Sequence, residues 1–107
     1  MIRLRTWSAV LATAMALIGT PAGADEEQIA RGQEVYAEAR CRKCHAINGV
    51  GNKRWPLDGV GGKLPPEQIR KWIVAPKEMD PKVKKKGFDK LPVADVDALV
   101  AYLSSLK

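Results

Sequence analysis

The run Cys41-Arg42-Lys43-Cys44-His45 constrains this chain more than any other stretch. It holds both cysteines and the single histidine of the 107 residues. Structural zinc needs four Cys/His ligands, usually as two separated pairs, and the second pair is missing. A C-x-x-C redox disulfide normally opens a helix after a strand in a βαβ pattern, and no strand–helix alternation is visible. A plain structural disulfide would use the cysteines but leaves His45 without a role. The spacing C-x-x-C-H is that of covalent haem attachment. On that reading Cys41 and Cys44 form thioethers to one haem c, and His45 ligates one face of its iron.

The first residues read as an export signal. Arg3 and Arg5 give a charged start, an apolar run extends from Trp7 to Ile18, and Thr20-Pro21-Ala22-Gly23-Ala24 supplies a small-residue cleavage site. The apolar run is shorter than the ~20 residues of a spanning helix. Cleavage after Ala24 divides the chain into a signal peptide, 1–24, and a mature domain, 25–107, with no membrane span. Export makes the expected location periplasmic.

Removing residues 1–24 takes two arginines with it and leaves 83 residues with a net charge of +4. So short a chain struggles to build an adequate apolar core unaided, and a covalently held haem would supply the missing apolar mass. The positive charge is concentrated at Lys77, Lys82, Lys84, Lys85, Lys86 and Lys90. A patch of this kind steers an acidic protein partner at low salt, or is simply a solvated loop. Nucleic acid is not the expected partner, because the chain reads as exported and no aromatic platform accompanies the lysines.

Helical periodicity dominates the mature segment. Asp25 is placed to cap a helix whose apolar positions Ile29, Gly32, Tyr36 and Ala39 recur at helical spacing up to Cys41. Residues 46–64, rich in glycine, read as an irregular loop. Pro65 and Pro66 stand at a helix start, Ile69, Trp72 and Ile73 form its apolar face, and Pro76 ends it. Residues 77–91 read as a second loop. Val96, Leu99, Val100, Leu103 and Leu106 then form one helical stripe, with Asp95 and Asp97 near its start. The expected fold class is all-α.

Taken together, these segments resemble the class I cytochromes c over nearly all of residues 25–107. Gly32 and Tyr36 look like the family's glycine–aromatic pair, which crosses the final helix. Pro56-Leu57 resembles its proline–leucine pair on the histidine side, Trp72-Ile73 its third helix, and Leu99-Val100-Ala101-Tyr102-Leu103 its closing motif. The resemblance implies a small cytochrome c fold, three to four helices wrapped around one covalent haem. It implies haem contacts from Pro56, Trp55 and Trp72. The Pro56 carbonyl is the expected acceptor for the second ring N–H of His45. Lys53, Arg54 and Trp55 are placed to meet a propionate.

One departure stands out. Relatives carry a methionine in the loop before the last helix as the second axial ligand, in a pattern like x-Met-Pro-x-Phe. This chain reads Lys84-Lys85-Lys86-Gly87-Phe88, with Lys85 at the methionine position. The only methionine after residue 24 is Met79. Met79 is read as the distal ligand through a rearranged loop, since a thioether needs no deprotonation. Lys85 is the alternative, although freeing an amine at pH 7 costs about 4–5 kcal/mol. An open sixth position is the third outcome.

The function this implies is an exported monohaem electron carrier between redox proteins rather than an enzyme, with its only histidine committed to iron. The alternatives are an open-site haem protein for small-ligand binding or peroxidase-like chemistry, and a haem subunit of a larger oxidoreductase.

Overall fold

The computed structural model describes residues 25–107; the expected signal peptide lies outside them. Asp25 is extended (φ −66°, ψ 159°), and its side chain accepts the Gln28 N–H at 2.6 Å. This N-cap starts α1 (Glu26–Glu38), whose first-turn Glu26 and Glu27 suit the positive end of the helix dipole. Arg40 takes a left-handed conformation (φ 56°), which turns the chain out of the helix and into a single 3₁₀ turn, Cys41–Lys43. The other long helices are α3 (Pro66–Val74), with proline at its first position, and α5 (Val93–Ser104).

The crossing of α1 and α5 organises the core. Gly32 is buried there, and a Cβ on it would collide with the backbone carbonyl of Ala98. Absence of a side chain is what lets the two backbones meet. One turn on, Tyr36 and Tyr102 pack edge to face, their rings 5.9 Å apart at 77°. Val35, Ile69, Ile73, Val96, Leu99, Val100 and Leu103 fill the space between the three long helices, Leu99 and Val35 almost without exposure. Each such side chain contributes roughly 1.5–3 kcal/mol by burial. Outside the core, Asp95 on α5 pairs with Arg31 on α1, and Asp97 pairs with Arg70 on α3.

Residues 46–64 are more ordered than an irregular loop. They carry most of a small sheet in the order β2-β1-β3, formed by β1 (His45–Ile47), β2 (Val50–Gly51) and β3 (Trp55–Pro56). Strands β1 and β2 form a hairpin around Asn48 (φ 51°) and Gly49 (φ 78°). Two consecutive positive φ values match the right-handed strand twist, and Asn-Gly is the sequence signal for them. Strand β3 pairs parallel to β1. Strands of two or three residues are too short to display a period of two, so the expectation of a helical chain without strands missed them. The fold is predominantly helical with this minor sheet.

Two single-turn helices were likewise unforeseen. The first, α2 (Val60–Lys63), docks on the end of α5, where Gly61 leaves room for the Ser104 carbonyl and donates its N–H to the Leu106 carbonyl at 2.8 Å. The second, α4 (Pro76–Met79), follows directly on α3. Pro76 does end α3 as expected, because its ring forces Ala75 out of the helical region (φ −143°, ψ 58°), but proline also suits a first helical turn and starts α4.

The segment after α4 is tied to the C-terminal end of α3. The final carbonyls of a helix lack partners within it. Here Lys71 O accepts from Ala75 N–H (2.8 Å), Trp72 O from the Lys85 ammonium (2.8 Å) and Ile73 O from Phe88 N–H (2.9 Å). Gly87 lies directly against Val74 O, with no room for a side chain.

Candidate haem site

The C-x-x-C-H run leaves α1 through the 3₁₀ turn and enters β1, so a tight turn presents the two cysteines and a strand presents the histidine. Cys41 is half-buried and Cys44 exposed, and both are free thiols. Burial pushes the Cys41 thiol up. Among the described residues no group of three or more His, Cys, Asp or Glu converges on a metal-sized point, so the three side chains are not arranged as one ion site.

His45 is fixed by its backbone neighbour. Its Nδ1–H donates to the Trp55 carbonyl at 2.9 Å. Because a carbonyl can only accept, the proton resides on Nδ1 and Nε2 keeps its lone pair. Burial pushes the imidazole below its ordinary pKa; the Trp55 bond opposes this and the charge of Lys85 adds to it. A neutral, oriented imidazole is the ligating form. The expected acceptor was the Pro56 carbonyl, and this is corrected by one residue. The parallel register pairs His45 with Trp55 and Ala46 with Pro56, so the ring of His45 faces Trp55.

The loop around this histidine is held by residues the sequence reading did not single out. Asn52 donates from its side chain to the Lys43 carbonyl (3.0 Å) and accepts from Arg54 N–H (3.0 Å). Its own N–H reaches the carbonyls of Arg42 (2.9 Å) and His45 (3.1 Å). Asp58 accepts the Asn48 N–H at 2.7 Å, closing the hairpin end of the same loop. Short polar side chains beside glycines are the signal for such turns. Gly51 (φ 110°) lies against the His45 carbonyl, where a Cβ has no space.

The remaining expected contacts fall in several places. Trp55 is 51% exposed, with the Arg54 guanidinium 4.5 Å above its ring, and Val50 nearby in sequence is 64% exposed. Pro56 is exposed and Trp72 half-buried. The Tyr36 hydroxyl is buried without a hydrogen-bond partner; burial first, then a deprotonated Cys41, push it up to about 12. Met79 closes α4, half-buried and outside the apolar cluster. Lys85 is half-buried, and burial pushes its amine below the ordinary lysine range, while thiolates at Cys41 and Cys44 would oppose that. The charge of Lys85 is felt in turn at Cys41 and His45. Five lysines of the basic stretch are exposed, and Lys85 alone of the six is drawn inward.

These residues fit a c-type haem. Two free thiols are offered on one turn, an imidazole nitrogen is free and oriented, and the buried Tyr36 hydroxyl has no protein partner. Large apolar groups are exposed on the strands that flank the one carrying His45, Val50 on β2 and Trp55 on β3, the latter with Arg54 over one face of its ring. A covalently bound macrocycle would take the two sulfurs, be ligated by His45 and cover apolar surface now facing solvent.

Comparison with known proteins agrees. Residues 29–107 match the family described as Cytochrome c. Cytochrome c oxidase subunit 2 of Alkalihalophilus pseudofirmus (strain ATCC BAA-2126 / JCM 17055 / OF4) is 29% identical over 86 residues, covering 72% of this chain and 25% of the relative. The chain thus spans about a quarter of the length of that curated relative. No solved structure matches the chain. With a family match across nearly all the described residues and a C-x-x-C-H turn that frees both thiols and orients its histidine, the chain belongs to the cytochrome c family, as a class I c-type cytochrome.

Proposed function

We propose that residues 25–107 act as an exported, periplasmic electron carrier holding one covalent haem c, after removal of residues 1–24. The observation that carries this reading is the His45–Trp55 hydrogen bond, which fixes the imidazole as a neutral, oriented ligand beside two free thiols. Bound haem supplies an iron that cycles between ferrous and ferric states. The chain's part is to hold that iron at a set potential. Cys41 and Cys44 anchor the group, Trp55 O orients His45, and the α1–α5 crossing keeps the frame from rearranging between oxidation states. No acid, base or nucleophile is needed.

The exposed lysines at 77, 82, 84, 86 and 90 favour partners with acidic docking surfaces, met in brief encounters. Among the described residues no helix is long and apolar enough to cross a membrane. Haem staining of a denaturing gel of the periplasmic fraction, followed by redox titration of the purified protein, tests the proposal. One haem per chain with reversible one-electron behaviour is the expected result; absence of covalent haem, or its presence only in the cytoplasm, refutes it.

The likeness to an oxidase subunit favours a second reading, a haem subunit within a larger oxidoreductase. Stoichiometric co-purification with other subunits from native membranes would select it over a free carrier.

A further inference from the structure

Lys85 stands apart from the rest of its basic stretch. The segment that carries it is fixed against α3, with Phe88 N–H on the Ile73 carbonyl and Gly87 against Val74 O. Between these anchors and α4, Lys85 turns inward and its Nζ reaches the Trp72 carbonyl at 2.8 Å, half-buried. Among the described residues no carboxylate lies within 4.0 Å of it, whereas Arg31 and Arg70 both pair with acids. Drawing a cation out of water without a counter-ion is costly, and the cost falls when the amine is neutral. Trp72, whose carbonyl Lys85 reaches at 2.8 Å, is one of the residues expected against the haem, so the amine stands beside the proposed cofactor site.

We propose that Lys85 is the distal axial ligand of the haem iron, its Nζ bonded on the face away from His45 and oriented by the Trp72 carbonyl. The proposal rests on the haem reading and goes beyond it. Forming the iron–nitrogen bond uses the amine lone pair, so one proton leaves Lys85 for solvent and no electron is transferred. The bound amine still carries two N–H groups, so the hydrogen bond to Trp72 O can persist and set the direction of the lone pair. Thioether ligation could not satisfy that carbonyl. Met79, by contrast, sits on α4, whose turn is closed by Asp80 N–H on Pro76 O (3.0 Å), upstream of the anchored segment.

The test uses the full chain matured with covalent haem. Haem staining of a denaturing gel comes first. A negative stain would sink the haem reading itself, and is thereby distinguished from failure of the ligand assignment alone. Ferric absorption and near-infrared magnetic circular dichroism are then recorded for wild type, Lys85→Ala, Lys85→Arg and Met79→Leu. Arginine keeps a cation and N–H donors for Trp72 O but offers iron no lone pair, so it separates ligation from a merely structural clamp and guards against collapse of the alanine variant. The expected wild type is low-spin with a histidine–amine band and no thioether charge-transfer band. Lys85→Ala and Lys85→Arg become high-spin and bind added imidazole about tenfold or more tightly, because no internal ligand competes. Met79→Leu matches wild type. A thioether band abolished by Met79→Leu, a high-spin wild type, or a low-spin spectrum that survives Lys85→Arg would each overturn the proposal.

Discussion

Replacing Gly32 by alanine sets two effects of known sign against each other at the α1–α5 crossing. Alanine is favoured over glycine inside a helix by about 1 kcal/mol. Against this, the new methyl would collide with the Ala98 carbonyl and crowd the Cβ of Tyr102. Overpacking a tight contact costs about 1–3 kcal/mol, and the upper end applies here because a helical carbonyl cannot swing aside as a side chain can. The net expectation is a loss of about 2 kcal/mol. For a domain of this size each kcal/mol shifts Tm by roughly 4–8 °C, so the melting point should fall by about 8–16 °C. Thermal unfolding of the haem-loaded protein, followed by far-ultraviolet circular dichroism, measures it. Gly62→Ala is the internal control, since a Cβ there meets only the Lys107 Cα, at 4.0 Å; its Tm should hold or rise slightly. A Gly32→Ala protein melting at or above wild type would refute the claim that backbone contact, rather than helix propensity, governs this position.

Changing both Cys41 and Cys44 to serine should leave a chain largely without helical circular dichroism, because so small a core depends on the haem it wraps; a native-like helical spectrum would contradict this. Arg40→Gly should stabilise the protein by about 1 kcal/mol in denaturant unfolding, since a left-handed residue with a side chain is strained where glycine is not. Lys82→Glu combined with Lys86→Glu should slow reduction by an acidic redox protein at low salt. The difference should fade as screening shortens to about 8 Å near 0.15 M, and stopped-flow rates across ionic strength would show it.

Much of the frame was legible in the sequence. The Asp25 cap, the Pro65-Pro66 helix start and the stripe Val96, Leu99, Val100 and Leu103 all depend on neighbours within a few residues, which is the range over which periodicity and capping operate. The small sheet was not legible as strands, although Asn48-Gly49 marked its hairpin. Its parallel pair joins His45 to Trp55 across ten residues, and a pairing of that kind leaves no local pattern.

By itself the sequence placed two thiols and an imidazole at the spacing of the haem motif, because C-x-x-C-H is complete within five consecutive positions, and it marked the three long helices. Only the tertiary structure decided which carbonyl holds His45, since a one-residue register moves that acceptor from Pro56 to Trp55. Only the tertiary structure showed that Lys85 is drawn inward while five neighbouring lysines stay exposed. In sequence it is set apart from them only by standing where relatives carry a methionine. In the fold, the orphan carbonyls at the end of α3 capture Lys85 and turn it away from solvent, because a helix end must find its hydrogen-bond donors outside itself.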